Sequence, residues 1–573
     1  MADLLPPLAD PEALVRAMAR AHRRLTEDLQ KRAVDPRVEP SLRDAHAADR
    51  AHGRTGEPWE TYRDAFCDQV AASWVLCTVF ARTLEDRGYL PHRLAGPGAS
   101  DRLAQFRSMF RFLGERDYLL HVFDAIALLP GGREVFGQGH APLWRLAPTS
   151  TALGELLDEL RATDGGRLRF SFGRPVGEER EHDGASTRYL GDLYQDLNEG
   201  VRKRYALLQT PEFVERFLLE NTLDPAIRER GIAVTVLDPA CGSGHLLLGA
   251  YDRLFEARRR VEPGLPPEES ARAVLGQVYG VDLNPYAAAV ARFRLVLSYL
   301  DKAGIRGLEQ VSKPLDVRIY VGDSLLAGLG DLQGTFGDVL ARQGEAEAAG
   351  FERGALLSFF EPEADRLLKG TRFDVVVANP PYITEKDATK RDLIRGRYVA
   401  ASGKYALSAP FVERIFQLGN EGAFTGQITA NSFMKREFGK ALIEEVLPSL
   451  DLTEVLDTAG AYIPGHGTPT VILFGRARKP RNPQVRTVMG SRGEPTTPEV
   501  PAAGRVWSTI VAHHRKSGYV DEFVSVVDLD RSKLAQHPWS LGGGGAAELK
   551  DALNHRARFS NNITPPADLL PEG

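Results

Sequence analysis

The sequence predicts an α/β protein in which a seven-stranded, doubly wound sheet follows an all-α N-terminal domain. Up to about residue 205, apolar residues recur at helical spacing. After residue 206, short β-branched runs alternate with helices, which is typical of parallel sheets built from strand-helix-strand units. A chain of 573 residues is long enough for two or three domains of this kind.

The composition excludes several protein classes. Hydrophobic residues make up 43% and charged residues 26% of the chain, unlike disordered, fibrous or membrane-embedded proteins. The net charge is −5, so nucleic-acid binding would depend on local basic patches. The longest apolar stretch, residues 70–81, is far shorter than the roughly 20 residues that span a bilayer, and no secretory leader is predicted. Three cysteines without paired spacing predict no disulfide framework and no metal site, so we expect a cytoplasmic protein.

Apolar stripes predict the N-terminal domain, which we assign to residues 1–205. One stripe, on a single helix face, consists of Leu14, Met18, Ala21, Leu25 and Leu29. A second stripe over residues 59–90 includes several aromatics, and we interpret both stripes as core-packing faces rather than cofactor contacts. Helices are predicted over residues 11–33, 59–90, 101–129 and 151–163, before a glycine-rich loop over 165–184.

Seven strands are predicted within the second domain, residues 206–477. They cover residues 232–238, 277–283, 317–323, 373–378, 426–430, 452–457 and 468–474. The stretch 477–503 is rich in proline, glycine and arginine and is interpreted as a linker. Residues 478–573 are therefore expected to be a basic linker and a partial C-terminal segment, the start of a target-recognition region.

A glycine-rich loop follows the first of these strands, in VLDPACGSGHLLL. Asp238 ends the strand, and Gly242 and Gly244 form a tight turn where a helix begins. Glycine lets the backbone approach a ligand closely at the carboxyl end of a strand. The spacing differs from GxGxxG and from the lysine-containing phosphate loop, which favours another adenosine ligand. An ordinary strand-to-helix turn explains an isolated GSG equally well.

Acidic residues also end the next two strands, Asp282 in VYGVDLNP and Asp323 in YVGDSLL. A carboxylate at the tip of the second strand can accept both ribose hydroxyls of an adenosine, and Asp323 could face the adenine ring. Either aspartate alone is more simply explained as a helix cap. Acids at three consecutive strand tips favour the ligand-binding interpretation.

The fourth strand ends in the sequence NPPY. By chance this sequence is expected on the order of 10⁻³ times in a chain of this length. The two prolines fix the backbone after Asn379, so that its amide and the Pro380 carbonyl can point at one planar amino group. The Tyr382 ring can stack on the base that carries this group. The nitrogen lone pair would then face an electrophile.

Together the motifs resemble amino-methyltransferases that use S-adenosylmethionine, in the motif order of the γ class of N6-adenine DNA methyltransferases. DPACGSG, the acid of the second strand, GD at the third and NPPY at the fourth carry the resemblance. Residues 202–223 resemble the N-terminal motif of this family, and KYALSAPFVERIFQL, GQITANSFM and AYIPGHGTPTVILFG resemble its later motifs. The resemblance covers residues 190–475 and is closest to the methyltransferases of BREX phage-defence systems.

The resemblance implies an S-adenosylmethionine-dependent methyltransferase fold, with S-adenosyl-L-methionine as the cofactor. The residues implied to bind it are Thr210, Asp238, Cys241, Gly242, Gly244, Asp282 and Asp323. The residues implied to grip the target base are Asn379, Pro380 and Tyr382. Gln209 departs from the family, which often has an aromatic residue before the Thr-Pro pair, and this departure bears on cofactor affinity. No cysteine nucleophile is implied, because an exocyclic amine can attack the methyl sulfonium directly.

Double-stranded DNA is the implied partner, and a target adenine must be flipped out of the duplex to reach such a pocket. The segment after Tyr382 carries Lys386, Lys390, Arg391, Arg395, Arg397 and Lys404 against three acids. A solvated helix face explains this run equally well. Residues 476–516 carry nine basic residues against two acids, on a predicted linker that could track phosphates. Other phage-defence proteins are further possible partners, whereas a membrane is not.

Two other functions are compatible with the sequence. Protein-glutamine and rRNA methyltransferases also use NPPY, although they usually have smaller N-terminal domains and a different glycine motif. The chain could instead be a cofactor-binding subunit that docks on DNA and is inactive without partners. Residues 1–200 contain no convincing D…(D/E)xK nuclease core, so cleavage is not predicted. The residues after 475 are too few for a complete target-recognition domain, which would lie in a missing region or in a partner.

Overall fold

The computed structural model of the chain describes residues 11–51, 57–138, 140–164, 166–172, 187, 189–191, 193, 209–327, 361–465, 467–539 and 541. The predicted domain boundary at residue 205, most of the predicted loop over 165–184 and the C-terminal residues 542–573 lie outside the described residues.

The described N-terminal part is mainly helical, in agreement with the prediction. Its elements are α1 (Pro11–Ala33), α2 (Glu39–Ala51), α3 (Trp59–Asp86), α4 (Ala99–Met109), α5 (Glu115–Ala127), α6 (Arg133–Phe136), α7 (Ser150–Arg161) and a short hairpin of β1 (Thr163–Asp164) and β2 (Arg167–Leu168).

The apolar stripes of α1 and α3 form the core of this part, as predicted. Leu25 on α1 and Trp74 on α3 are fully buried. Cys67 and Cys77 lie in the same core, and burial raises the pKa of both thiols to about 12. These cysteines are therefore neutral packing residues.

The single helix predicted over residues 101–129 is wrong, because α4 ends at Met109 and α5 begins at Glu115. The Asp117 carboxylate accepts a hydrogen bond from the backbone N–H of Gly114 at 3.0 Å. A carboxylate in the first turn satisfies a backbone donor that a new helix leaves unpaired. This local cap divides the apolar pattern into two helices.

The residues after 209 form a large sheet flanked by helices. In chain order the elements are α8 (Glu212–Arg230), β3 (Val236–Asp238), α9 (His245–Val261), α10 (Pro267–Leu275), β4 (Val278–Asp282), α11 (Pro285–Ala303), β5 (Arg318–Val321), α12 (Pro362–Gly370), β6 (Phe373–Ala378), α13 (Ala388–Arg397), α14 (Ser408–Gln417), β7 (Gly419–Ala430), β8 (Asp451–Asp457), β9 (Thr470–Arg476), β10 (Gln484–Gly490), α15 (Arg505–His513), β11 (Val524–Asp530) and α16 (Arg531–Leu534).

The sheet has the strand order β11-β10-β8-β9-β7-β6-β3-β4-β5. Strands β7, β6, β3, β4 and β5 run parallel. Strand β9 is antiparallel to both of its neighbours, and β11 is antiparallel to β10. The seven predicted strands are present as β3 to β9. The sheet is nonetheless mixed rather than parallel, and it has nine strands within the described residues rather than seven.

The prediction of a linker over residues 477–503 is corrected by β10. This strand pairs with β8 on one side and β11 on the other, and it buries Val485 and Val488. The neighbouring basic residues make ion pairs within the fold: Arg478 donates to Asp451 at 2.8 Å, and Arg486 pairs with Asp528. These arginines therefore stabilise the sheet, and they do not belong to a flexible segment that tracks phosphates.

The helical part packs against the sheet through α11. Phe80 of α3 stacks on Phe293 of α11, with ring centroids 4.2 Å apart. Near the other end of the interface, Arg87 lies 3.8 Å from Asp301, and both side chains are almost fully buried. One apolar cluster continues from α1 through α11 to β10 and β11. The helical part and the sheet therefore share a core.

Helix α15 packs on α8, the helix that follows Thr210 and Pro211. Trp507 of α15 contacts Phe213 and Phe217 of α8, with ring centroids 4.8 and 5.4 Å apart. Arg515 donates a hydrogen bond to the Asn221 side chain at 2.8 Å. Residues beyond the predicted end of the second domain thus hold α8 in place. No helix in the described ranges is both long enough and apolar enough to cross a membrane.

Candidate active site

Four of the predicted site residues lie at one edge of the sheet. Asp238 ends β3, Asp282 ends β4, Asp323 follows β5 by two residues, and Asn379 directly follows β6. These four strands are neighbours in the order β6-β3-β4-β5 and run parallel. Their carboxyl ends therefore meet at the same edge, where ligands bind in open α/β sheets.

The glycine loop adopts a conformation that requires glycine at two positions. Gly242 has φ +52° and Gly244 has φ +83°, both in the left-handed region. A Cβ added at Gly244 would lie 3.0 Å from the Cβ of Ala291 on α11, whereas none of the described atoms lies within 4 Å of a Cβ added at Gly242. The loop is therefore packed tightly beneath Gly244 and open above Gly242.

Asp282 ties the tip of β4 to this loop. One carboxylate oxygen accepts from the backbone N–H of Gly242 at 2.8 Å, and the other accepts from that of Asn284 at 2.8 Å. The side chain stays partly exposed, yet desolvation raises its pKa to about 6. A group that donates hydrogen bonds or carries positive charge would stabilise the ionised form.

Asp238 and Cys241 are buried at the base of the loop. Asp238 accepts a hydrogen bond from the backbone N–H of Ala240 at 3.0 Å, and burial, reinforced by the charge of Asp282, raises its pKa to about 8. Burial also raises the pKa of the Cys241 thiol well above its usual value. A neutral thiol is a poor nucleophile, which agrees with the absence of a predicted nucleophilic role.

The Asp323 carboxylate caps the turn after β5. One oxygen accepts from the backbone N–H groups of Leu325 and Leu326 at 3.0 and 3.1 Å. Within the described residues, this oxygen therefore caps a turn over residues 324–327 rather than a helix. The side chain is only partly buried, at the same edge as Asp282.

Asn379 is held in one orientation by two neighbours. Its amide nitrogen donates to the Thr210 hydroxyl at 3.2 Å, and its amide oxygen accepts from the Tyr382 hydroxyl at 2.8 Å. The backbone that follows Asn379 is also held in place. Pro380 is buried, and the Ile383 carbonyl accepts from the backbone N–H of Leu407 at 2.8 Å. Thr210, expected to bind the cofactor, thus directly contacts the predicted base-gripping residue.

Arg294 also reaches the glycine loop and joins it to Thr187, although no sequence motif includes either residue. Arg294 lies in the middle of α11 and donates to the Ser243 carbonyl at 2.7 Å and to the Thr187 hydroxyl at 3.1 Å. The sequence shows only an arginine within a mainly apolar helix, and this pattern does not indicate which loop the side chain contacts.

Basic side chains are exposed on two segments near this edge. Lys386 and Lys404 flank α13, where Arg395 pairs with Asp392 at 2.6 Å and is partly neutralised. A second group, which the sequence analysis did not identify, follows β7 and consists of Lys435, Arg436 and Lys440. Because β6 and β7 are parallel neighbours, both segments lie beyond the same edge of the sheet.

The raised pKa values of Asp238 and Asp282 predict a stability that depends on pH. Both folded pKa values exceed the unfolded value of about 3.9, so their contribution to stability is lost as pH rises from about 4 to about 8. We expect Asp238→Asn to raise the thermal midpoint above wild type at pH 8, with the gap closing toward pH 4. Thermal unfolding at a series of pH values measures this.

Asp374 provides a control of opposite sign. Despite burial, hydrogen bonds from Thr235 and Arg230 lower the pKa of its carboxyl. Asp374→Asn should therefore be less stable than wild type at pH 8, and this gap should close as pH falls below about 4. A midpoint difference for Asp238→Asn that is the same at every pH would contradict the raised pKa of Asp238.

Family comparisons match the segments that carry this geometry. Residues 276–462 match the sequence model of the Eco57I restriction-modification methylase, and residues 220–316 match that of the MmeI DNA-methyltransferase domain. The ATP-dependent type ISP restriction-modification enzyme LlaBIII, solved bound to DNA, has a TM-score of 0.51 at 13% identity, over 83% of this chain and 30% of that chain. This likeness shows a shared fold.

Two relatives align with the sequence, and they differ in sequence identity and in the share of this chain that they cover. A putative type II restriction enzyme and methyltransferase of Methanocaldococcus jannaschii is 24% identical over 28% of this chain and 18% of that protein. The adenine-specific methyltransferase PglX of Streptomyces coelicolor is 42% identical over 96% of this chain and 46% of that protein. The chain thus spans less than half the length of each. The resemblance predicted from the motifs is confirmed, and the chain is a relative of the adenine-specific methyltransferase PglX.

Proposed function

We propose that this chain is a site-specific DNA methyltransferase that transfers a methyl group from S-adenosyl-L-methionine to N6 of a flipped-out adenine. The observation that carries the proposal is the Asn379 amide, held between Thr210 and Tyr382 beside the glycine loop. An amide oxygen fixed in this way can accept a hydrogen bond from the amino group of a substrate base and hold that group in one orientation. The similarity to an adenine-specific methyltransferase supports adenine as the target.

The glycine loop and its surroundings fit S-adenosyl-L-methionine. Among the described residues, no atom lies within 4 Å of a Cβ added at Gly242, and Asp282 is a partly exposed carboxylate whose raised pKa favours a positively charged or hydrogen-bonding ligand. When bound, this cofactor supplies an electrophilic methyl group on a sulfonium. We assign the ribose hydroxyls to Asp282 and the adenine ring to Asp323. The remaining cofactor-lining residues in this proposal are Thr210, Asp238, Cys241, Gly242 and Gly244.

Asn379, Pro380 and Tyr382 are proposed to bind the target adenine. The Asn379 amide oxygen and the Pro380 carbonyl would accept hydrogen bonds from its amino group, and the Tyr382 ring would stack on the base. Flipping the base out of the duplex costs a few kcal/mol, of which stacking returns part. In the structure the Tyr382 hydroxyl donates to the same Asn379 oxygen, so the pocket orients its own acceptor before a base enters.

The exposed cations near the pocket support DNA as the substrate. Lys386, Lys404, Lys435 and Arg436 flank the edge of the sheet at which Asn379 lies. Phosphate contacts from such residues position DNA without reading its sequence. We assign the catalytic domain to residues 206–477 and propose that the DNA sequence is recognised by another part of the protein or by a partner. The partner would belong to a cytoplasmic phage-defence or restriction-modification system.

Transfer of a labelled methyl group tests this function. The chain is incubated with S-adenosyl-L-methionine carrying a tritiated methyl group and unmethylated duplexes, and hydrolysed DNA is analysed by mass spectrometry for N6-methyladenine. A duplex of only G·C pairs is the matched control, because it offers the same backbone without the target amine. Label in protein or rRNA but not in DNA would replace the proposal with the alternative methyltransferase functions.

Tyr382 is expected to act through its ring rather than its hydroxyl. Tyr382→Ala should lower kcat/KM for DNA by roughly 10-fold to 100-fold, since base stacking on an aromatic ring is worth about 1 to 3 kcal/mol. Tyr382→Phe keeps the ring and loses the hydroxyl that donates to Asn379, so kcat/KM should stay within about threefold of wild type. Steady-state kinetics on one duplex separates the variants. A Tyr382→Phe variant as inactive as Tyr382→Ala would assign the hydroxyl a role in the reaction.

A further inference from the structure

One face of α11 forms the floor of the glycine loop. Ala291 and Arg294 are three residues apart and so lie on the same face of the helix. A Cβ added at Gly244 would lie 3.0 Å from the Cβ of Ala291, so the loop packs closely against the helix at this point. Arg294 is 1% exposed and reaches the residue between the two glycines. The helix thus contacts the loop through packing and through a hydrogen bond.

The loop is held from two sides. The Asp282 carboxylate accepts from the N–H of Gly242, and the Arg294 guanidinium donates to the carbonyl of Ser243 at 2.7 Å. These contacts fix the Cys241–Gly242 and Ser243–Gly244 peptide groups, where the two glycines would otherwise permit many conformations. Since Ser243 is itself buried, its carbonyl depends on a protein donor.

The second contact of Arg294 reaches the N-terminal part of the chain. Its Nε donates to the Thr187 hydroxyl at 3.1 Å. Four residues later, a Cβ added at Gly191 would lie 2.9 Å from the Ser243 hydroxyl oxygen and 3.0 Å from the Gln209 side-chain nitrogen. Leu190 and Leu193 are fully buried in the shared core. This segment therefore lies directly against the loop.

We propose that Arg294 is a positioning residue that fixes the Gly242–Gly244 loop in its cofactor-binding form and couples the loop to the N-terminal helical part. The inference rests on the proposed function, because it takes S-adenosyl-L-methionine as the ligand of this loop. A guanidinium suits the role because its planar fork donates in two fixed directions, here to a carbonyl and a hydroxyl on different segments. Arg294 acts on the ligand through Ser243 and does not touch the reacting atoms.

Cofactor binding by Arg294 variants tests the proposal. Arg294→Met removes both donors while keeping a long apolar side chain, and calorimetry should show at least about tenfold weaker binding of S-adenosyl-L-methionine. At saturating cofactor, kcat should stay within about threefold of wild type, so that the effect appears in the KM for the cofactor. Arg294→Lys restores one donor and should recover part of the affinity. Thr187→Val removes the hydroxyl that accepts from Arg294 and should weaken binding by about twofold to fourfold.

Arg87→Met is the matched control. Arg87 is equally buried and also joins the helical part to α11, but at Asp301, seven residues or about 10 Å along the helix from Arg294. This variant should lower the thermal midpoint while leaving cofactor affinity within about twofold of wild type. If Arg87→Met weakened cofactor binding as much as Arg294→Met, the effect would be one of general stability and the proposal would be overturned.

The outcomes separate this inference from the proposed function. If the wild-type chain binds no S-adenosyl-L-methionine, the proposed function fails. If wild type binds and both Arg294→Met and Arg294→Lys bind equally well, only the positioning role of Arg294 fails. Should Arg294→Met not fold, Arg294→Lys and Thr187→Val decide the matter, and wild-type affinity in both would overturn the proposal.

Discussion

Asn379→Ala is expected to reduce methyl transfer by on the order of 10² to 10³ in kcat, the usual effect of removing one hydrogen-bonding group at a site of developing charge. The amide oxygen is the acceptor that would orient the target amine. Alanine also leaves the Thr210 and Tyr382 hydroxyls without the partner they have in the structure. Single-turnover transfer of a labelled methyl group to DNA measures the loss.

Cofactor affinity distinguishes a catalytic defect of Asn379→Ala from misfolding. Calorimetric binding of S-adenosyl-L-methionine should stay within about threefold of wild type, because the Asn379 side chain is proposed to grip the target base rather than the cofactor. Asn420→Ala is the matched control: Asn420 donates to Asp374 at the opposite edge of the sheet. That variant should transfer methyl groups normally. Substantial transfer by Asn379→Ala would remove Asn379 from the reaction.

Asp282→Ala is expected to weaken cofactor binding by at least tenfold. The lost carboxylate would have accepted two charge-assisted hydrogen bonds from ribose, each worth roughly 1.5 to 3 kcal/mol. It also releases the N–H of Gly242, so the loop loses one of its two anchors. Titration of S-adenosyl-L-methionine by calorimetry gives the affinity.

The fold should tolerate this substitution, which makes the binding result interpretable. Desolvation raises the pKa of the Asp282 carboxyl, so at neutral pH the folded protein bears a cost for its charge that alanine removes. Asp316→Ala is a suitable control, because Asp316 pairs with Arg318 at the other edge of the sheet, beside the start of β5. Its cofactor affinity should equal that of wild type. Unchanged binding in Asp282→Ala would assign the ribose to another group.

The strands that carry the site were predictable because each has a strong local pattern. Strands β3 and β6 are short, mainly apolar runs, with β3 ending in Asp238 and β6 followed directly by Asn379, and a buried parallel strand needs nothing more. Strand β10 was missed because its sequence, QVRTVMG, has neither a continuous apolar run nor a strict apolar–polar alternation, and it lies within a segment rich in proline, glycine and arginine. Only its pairing with β8 and β11 makes it a strand, and such long-range pairing is not visible in local composition.

The candidate site divides in the same way. Asp238, Asp282 and Asn379 could be found because the parallel strands β3, β4 and β6 place their carboxyl ends at one edge. The contact of Thr210 with Asn379 spans 169 residues, and that of Arg294 with Thr187 spans 107. No periodicity indicates which segments meet over such distances. Burial of a charged side chain was the one physical signal at Arg294, and it became visible only in three dimensions.

The packing of α15 on α8 sets the size of the smallest fragment that can carry this site. Thr210 lies just before α8, and Asn221 in the middle of the same helix accepts a hydrogen bond from Arg515, two residues after α15. A chain cut after residue 477 would leave Phe213 and Phe217 facing water instead of Trp507. The autonomous folding unit therefore extends through β11, and the outer strands and the cofactor loop belong to one cooperative structure.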